Sequence, residues 1–347
     1  MARNDRKGVT IVDIAREAGV SIKTVSRVIN REEGAGAEVR ARVQAIIDKH
    51  DYRPNASARN LSSRRSYLIG VIFLRLVSHH YVGEVQAGAL RAARRAGYQL
   101  VVEQVEAADG RFDLEAFAAV LANVAFDGVV LTPPLCDDQD VLAAVEAAGV
   151  AYVRMAPNTE PGRAPFVWMD DLEAAREQTL GLWDMGHRRI AFVGGPSDHR
   201  AAVQRREGYL QAMRERGVAV PAEWIAPGDF FGLSGFYAGE ALLALDPRPT
   251  AIFAGNDEMA LGVLAAAAKH GVAVPEALSV VGFDNAPAGE MSWPRLTTVH
   301  QPTAEMAEAA VEMLVKRFGD ARFREQITEQ KLDYRLVVRG SAAPPRG

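Results

Sequence analysis

Val9-Thr10-Ile11-Val12-Asp13-Ile14-Ala15-Arg16-Glu17-Ala18-Gly19-Val20-Ser21-Ile22-Lys23-Thr24-Val25-Ser26-Arg27-Val28-Ile29-Asn30 is the stretch on which the reading of this chain turns. Ile11, Ile14, Ala15 and Ala18 recur at helical spacing behind Thr10, and Thr10 with Asp13 forms a variant of the capping box. A first helix therefore starts near Thr10. Gly19-Val20-Ser21 ends it: glycine permits a left-handed turn, Val20 is placed to plug the angle between two helices, and Ser21 can cap the next. A second helix is expected from about Ile22 to Asn30. This is the pattern of a helix-turn-helix, whose second helix presents its first residues to base edges in the DNA major groove, although many α-hairpins share it. Ile22, Lys23 and Arg27 are the candidates for that contact. Arg27 can donate two parallel hydrogen bonds to guanine O6 and N7, Lys23 can donate to the same edge, and Ile22 can touch thymine methyls or exclude a base. A G-containing half-site is expected. Thr24, Ser26 and Asn30 alternate with them and suit phosphates, which position a helix without reading sequence. Thr10, Ser21, Tyr52 and Asn55 complete the phosphate-facing candidates.

Outward from this stretch, Val39, Val43, Ile46 and Ile47 recur at spacings of three and four and give a third helix after Glu32-Glu33-Gly34-Ala35-Gly36. Arg53-Pro54-Asn55 breaks that run, and Ala56 to Ser66 has too few apolar residues to build a core, so it reads as a linker. Charge separates the same region from the rest. Residues 1 to 66 hold 14 Lys/Arg against 8 Asp/Glu, net +6, leaving 26 against 36, net −10, for the remainder. A basic segment of this size suits a polyanion or is a solvated charged face; an acidic remainder should stay off a polyanion.

From Tyr67 the pattern becomes β/α alternation. Leu68 to Phe73, Gln99 to Val102, Gly128 to Leu131 and Ala151 to Val153 are short apolar runs between alanine-rich helical stretches. Ile190 to Val193, Ala251 to Ala254 and Leu278 to Phe283 form a second set. Buried parallel strands read this way, so the expected class is α/β: a helix-turn-helix followed by two doubly wound parallel-sheet subdomains. Ligands of such sheets sit beyond the carboxyl ends of the strands, which places Gly194-Gly195-Pro196, Gly255-Asn256-Asp257 and Asp284-Asn285 around one cleft.

Several classes are excluded or disfavoured. A 347-residue chain with 48% hydrophobic and 24% charged residues fits about two soluble domains, and no run of about 18 apolar residues could span a bilayer. The charged start Met1 to Lys7 lacks the apolar stretch of a signal peptide, so a cytoplasmic location is expected. The single cysteine, Cys136, excludes an intrachain disulfide and a cysteine-built zinc site and reads as packing. Neither G-x-G-x-x-G nor G-x-x-x-x-G-K-[ST] follows a strand, and Ser197-Asp198-His199 sits in no nucleophile elbow, so catalysis, cofactor and metal are not expected.

The opening stretch, with Tyr52-Arg53-Pro54-Asn55 and the later Gly186-His187-Arg188-Arg189-Ile190, Asn256-Asp257-Glu258-Met259-Ala260 and Val281-Gly282-Phe283-Asp284, resembles the LacI/GalR family over nearly the whole chain. The resemblance implies a transcriptional regulator: a headpiece at 1–52, a hinge at 53–66 that folds on DNA, and a periplasmic-binding-protein-like sensor at 67–340. Its N-subdomain would take about 67–186 and 302–325 and its C-subdomain about 187–301 and 326–340, leaving 341–347 as a tail whose Pro/Gly-rich composition from Ala342 reads as frayed. It implies operator double-stranded DNA and a small-molecule effector as partners of a homodimer or tetramer; no leucine heptads follow Gly340 to build a tetrameric coiled coil. Leu61, with Ala58, matches the family's minor-groove wedge, a role that offsets unstacking with added contact; packing on the sensor is the alternative. Gly36 stands at a usual serine cap position.

The family's effector cleft maps onto Arg205, Asn256, Asp284, Phe230 and Gln301, with His79 and Tyr81 after the first strand. Guanidinium, carboxylate and amide suit vicinal hydroxyls, and an aromatic face suits a pyranose, so a sugar is expected. The alternatives are that Asp284 caps a turn, Arg205 pairs with Glu207 and Phe230 is core. Asp170-Asp171 ranks lower, since helix capping explains it nearly as well. Relief of repression is the expected response, with corepressor-dependent repression or activation as the alternative and an enzyme on this fold as a distant one.

Overall fold

A computed structural model describes residues 9–29, 34–50, 52, 65–74, 79–105, 107–108, 111–197, 199–319 and 326–346. The chain divides into two units, Met1–Ser66 and Tyr67–Gly347.

In the first unit, α1 (Ile11–Ala18) starts on the expected capping box: Thr10 N–H and hydroxyl both donate to Asp13, at 3.0 and 2.7 Å, and Asp13 N–H returns a bond to Thr10 Oγ1. Gly19 adopts φ 66°, a left-handed conformation that glycine reaches without strain, and hands the chain to α2 (Ile22–Ile29), capped by Ser21 Oγ at 3.1 Å from Thr24 N. α3 (Ala37–Lys49) opens on Gly36 without a side-chain cap. Ile14, Ala15, Ala18, Val25, Val28 and Val43 form the buried core, against which Val20 and Tyr52 pack. Glu17 ties α1 to the end of α3 through Lys49 at 2.7 Å and His50 at 2.6 Å.

In the second unit the chain runs β1 (Leu68–Leu74), α4 (His79–Arg95), β2 (Gln99–Val105), a small hairpin β3 (Ala107–Ala108) and β4 (Arg111–Phe112), then α5 (Leu114–Asn123), β5 (Gly128–Leu131), α6 (Gln139–Ala147), β6 (Ala151–Met155), β7 (Phe166–Trp168) and α7 (Asp171–Asp184). It continues as β8 (Ile190–Val193), α8 (Arg200–Glu215), β9 (Ile225–Ala226), α9 (Gly232–Leu243), β10 (Ala251–Ala254), α10 (Asp257–Lys269), β11 (Ser279–Val281), α11 (Pro287–Met291), β12 (Thr298–His300), α12 (Thr303–Gly319), β13 (Glu329–Lys331) and β14 (Arg335–Val337). The first sheet is parallel in the order β13-β7-β6-β5-β1-β2, and the second is parallel in the order β11-β10-β8-β9. β12 and β14 pair antiparallel. Helices α9 and α10 cross at backbone contact, since a Cβ on Gly262 would lie 2.1 Å from the Gly232 carbonyl oxygen.

Two expectations about the end of the chain are corrected. β13 closes the edge of the first sheet, although 326–340 reads as part of the second subdomain; its Glu-Gln-Lys sequence is exposed and gives no apolar signal. The segment after Gly340 is held in place. Ser341 is fully buried, donates to Val280 O at 2.6 Å and accepts from Thr297 N at 2.8 Å. Ala343 O accepts from Ser279 Oγ, and the His187 ring lies 3.0 Å away. The backbone there continues pairing beside β11, which its Pro/Gly-rich composition conceals.

Candidate ligand site and nucleic-acid interface

A cavity of about 240 Å³ lies where the carboxyl ends of both sheets meet. Leu74 ends β1, Pro133 and Pro134 follow β5, and Asp171 follows β7; from the other sheet come His199, Phe230, Asn256 and Asp284, with Gln301 after β12 and Tyr81 on α4. The doubly wound topology places these residues there, since loops at strand carboxyl ends converge while helices cover the faces.

Arg205 on α8 is the hub. Its Nε donates to Asp171 Oδ1 at 2.8 Å, Nη1 to Gly255 O at 2.7 Å and Nη2 to Gln301 Oε1 at 2.9 Å. Its guanidinium lies 3.7 Å from the centre of the Phe283 ring, and Asp284 Oδ1 stands 3.6 Å from Nη1. Arg205 and Asp171 are both almost completely buried. Burial pushes the Asp284 carboxyl well above its ordinary range, and Asp171 upward too, with the Arg205 charge opposing both shifts. Burial likewise raises the Tyr81 phenol. Behind Asp284, burial pushes Asp257 up to about 7, although Thr298 Oγ1 donates to it at 2.6 Å and the Ala286 amide at 2.7 Å.

The structure brings Arg205, Asn256, Asp284, Phe230, Gln301 and Tyr81 to this one cavity. The side chain of His79, at the start of α4, lies outside the described residues. Several of these side chains also have partners within the protein. Arg205 pairs with Asp171, while Glu207 faces Arg206. Asn256 also serves the fold: its Oδ1 caps α10 at Met259 N and its Nδ2 donates to Phe230 O, so it shapes the wall and holds the neighbouring ring. Asp170 and Asp171 part company at the helix start. Asp170 caps α7 at Glu173 N and pairs with Lys331 at 2.8 Å, whereas Asp171 enters the cavity. Two consecutive helix-start residues thus face different directions, a split that their identical side chains do not announce. His199, dismissed there as part of no triad, meets Phe230 edge-on at 5.1 Å between ring centres. Phe230 itself adopts φ 72°, a strained conformation for an aromatic residue, and lies close enough that a Cβ on Gly195 would stand 2.5 Å from its ring.

On the first unit, Ile22 and Lys23 are exposed at the first turn of α2, and Ile22 is 48% accessible. Arg27 is half-buried, with its guanidinium resting over Gly34: a Cβ there would be 3.3 Å from Nη1. The hydroxyls of Thr10 and Ser21 serve helix caps, that of Thr24 bonds the Ser21 hydroxyl, Ser26 is half-buried, and Tyr52 is half-buried on the core with its phenol raised by burial. Asn30, Asn55, Ala58 and Leu61 lie outside the described residues.

The second unit exposes large apolar side chains. Trp293 is 93% accessible, Met291 82% and Val338 69%, and the Gly340 N–H bond to Arg295 O at 3.0 Å brings their segments together. Leu233 and Tyr237 stand out one turn apart on α9. These exposed apolar side chains are candidates for an interaction surface.

Residues 10–55 match the model of bacterial regulatory proteins of the lacI family, and 180–342 match that of a periplasmic binding protein-like domain. Over 96% of this chain and 99% of its own length, catabolite control protein A of Priestia megaterium is 34% identical. The chain belongs to the lacI family of bacterial regulatory proteins. Ribose operon repressor of Escherichia coli K12 is 32% identical to this regulator over 96% of the chain and 99% of its own. Among solved structures, the lac repressor dimer bound to operator and the anti-inducer ONPF superposes with a TM-score of 0.78 at 29% identity, covering 97% of this chain and 100% of that one. The complex of the regulator CelR with cellobiose gives 0.73 at 30% identity, covering 96% and 99%. As a family member the chain is a DNA-binding transcriptional regulator, with the first unit as its helix-turn-helix and the second as its periplasmic-binding-like sensor. No helix among the described residues is long and apolar enough to cross a membrane.

Proposed function

We propose that this regulator is a homodimeric repressor that binds operator DNA in the cytoplasm and releases it when a sugar enters the Arg205 cleft, and that it performs no catalysis. The Arg205 network carries this reading. One guanidinium holds Asp171 from the first sheet's loops, Gly255 from the second's and Gln301 at the crossover, so a ligand touching this network is linked to both sheets and to the crossover. If ligand favours one arrangement of the subdomains and DNA another, their affinities are coupled reciprocally. The names of neighbours support a sugar, since cellobiose occupies CelR. Titration of operator affinity against candidate sugars tests the sign: active sugars are expected to weaken binding, and a panel in which every active sugar tightens it makes the protein corepressor-dependent.

DNA reading falls to Ile22, Lys23 and Arg27. Arg27→Ala should cost about 1–3 kcal/mol of operator affinity and relax preference at one base pair. A uniform loss across all sequences makes Arg27 a phosphate contact instead. Dimerisation falls to the exposed apolar face. Trp293→Asp, which burdens a 93% accessible side chain with charge, should leave the circular dichroism spectrum unchanged while shifting sedimentation toward monomer, weakening operator binding and removing the concentration dependence of the melting temperature that association confers. A variant that sediments as the parent removes Trp293 from the interface.

A further inference from the structure

Arg154 is a cation with no access to solvent, set in a strand whose packing has no need of one. It is the fourth residue of β6, between β5 and β7 in the first sheet, with Leu131 and Phe166 as its register partners. Its strand neighbours Tyr152, Val153 and Met155 all belong to the core. Apolar residues of similar volume often serve a fold as well as a buried ion pair does, whereas the forked hydrogen bonds of an arginine fix geometry. Here those bonds go to loops. Nε donates to Cys136 O at 2.6 Å and Nη2 to Asp137 Oδ1 at 2.7 Å, both after β5, while Nη1 donates to Glu160 O at 2.9 Å and Nη2 to Thr159 O at 2.8 Å, both after β6. Asp137 completes the clasp, accepting from Asn158 N–H at 2.8 Å, Thr159 N–H at 2.9 Å and the Thr159 hydroxyl at 3.1 Å.

The two loops joined in this way carry cavity wall. Pro133 and Pro134 stand immediately before the Leu135–Asp137 turn, Ala156 begins the second loop, and all three line the cavity, whereas Arg154 lies behind them. The second loop needs holding. Ala156 at φ 46° and Glu160 at φ 44° occupy the left-handed region, where non-glycine residues persist only when their surroundings impose it. Arg154 and Asp137 impose it from within, and Arg163 from outside, through Glu146 at 2.9 Å and Glu160 at 2.9 Å. The Arg163 pairs are partly exposed and screened by solvent, while the Arg154 side chain is wholly enclosed. A wall already ordered spares an incoming ligand the entropic cost of ordering it.

On the reading of the cavity as the effector site, we propose that Arg154, with Asp137, is a positioning residue that holds Pro133, Pro134 and Ala156 in their ligand-binding arrangement before ligand arrives. Arg154→Met combined with Asp137→Asn removes both charges together, so no lone charge stays buried. Native-state amide exchange on the full-length protein is read at Cys136, Asp138, Ala156 and Arg163, whose N–H groups donate to the backbone oxygens of Thr132, Leu135, Val167 and Glu160 and to neither replaced side chain. Exchange there is expected to rise at least about tenfold, with Val129 and Val130 of β5 unchanged. In calorimetric titration with a panel of monosaccharides and disaccharides, the sugar that binds the parent most tightly is expected to bind the double variant at least about tenfold more weakly. Arg154→Lys, which keeps the charge and loses the fork, is expected to behave as the double variant does. Unchanged exchange at the four amides overturns the clasp, as does a lysine variant that matches the parent, which would assign the effect to charge alone. Faster exchange with sugar affinity held within about threefold overturns the role in binding. If no sugar binds the parent, the sugar reading of the site fails, and the exchange, which needs no ligand, still decides whether Arg154 holds the wall.

Discussion

Arg205→Ala is expected to lower the melting temperature of the sensor by about 6–20 °C and to abolish the response of operator binding to effector. The guanidinium is the compensating charge for Asp171, at 2.8 Å, and the nearest cation to Asp284. Removing one partner of a buried ion pair costs about 3–5 kcal/mol, because the remaining charge has lost both water and counter-ion. At about 2–4 °C per kcal/mol for a domain of this size, that gives the stated shift. The variant also frees Gly255 O and Gln301 Oε1, the acceptors through which Arg205 ties the crossover to the second sheet. Its pH dependence separates charge from packing. In the variant Asp171 and Asp284 are more strongly driven to hold a proton when folded than when unfolded. A carboxyl whose folded pKa lies above its unfolded value of about 3.9 stabilises the fold in acid and loses that contribution as pH rises toward the folded value. The deficit against the parent protein should therefore shrink from pH 8 to pH 5. Arg205→Met, which keeps much of the volume, should lose nearly as much at pH 8. Calorimetric scans at the two pH values check this, and a pH-independent deficit would assign the loss to packing.

The sequence disclosed these features unevenly, for physical reasons. The helix-turn-helix was legible to within a residue because its signals are local: a capping box at Thr10, a left-handed glycine at Gly19 and apolar residues at helical spacing. The central strands were legible because burial on both faces makes them continuous apolar runs, as in Val129 and Val130 of β5 and in Ile252 and Phe253 of β10. β7, β9, β13 and β14 were not, being two or three residues long and, in β13, wholly exposed. In the cleft, chemistry was legible and partnership was not. Arg205, Asp284 and Gln301 could be named from their matching positions, but their pairing spans up to 96 residues and depends on how loops from two sheets meet. Asp171 shows the limit most clearly, since its neighbour Asp170 offers the same side chain and performs the capping that both could have done.

Ile14→Asp is expected to unfold the headpiece alone, reducing operator affinity by at least about 100-fold while the sensor melts at its original temperature and keeps its ligand affinity. Ile14 is fully inaccessible at the centre of a core of six buried residues, three of them in α1 and the others in α2 and α3. Replacing it removes about 1.5–3 kcal/mol of apolar burial and forces a carboxylate into a site whose neighbours offer no donor, at several kcal/mol more. A core this small supplies only about 3–5 kcal/mol in total, so the sum exceeds what the unit can lose. The sensor is insulated because its own core is built from residues beyond Tyr67, and the two units part at Ser66. Amide exchange should then show loss of protection across Ile11–Lys49 with protection of β1, β5, β8 and β10 unchanged. Retention of operator affinity within tenfold would mean that DNA itself supplies the energy that orders the headpiece, and would move the origin of its stability from the six-residue core to the protein–phosphate contacts.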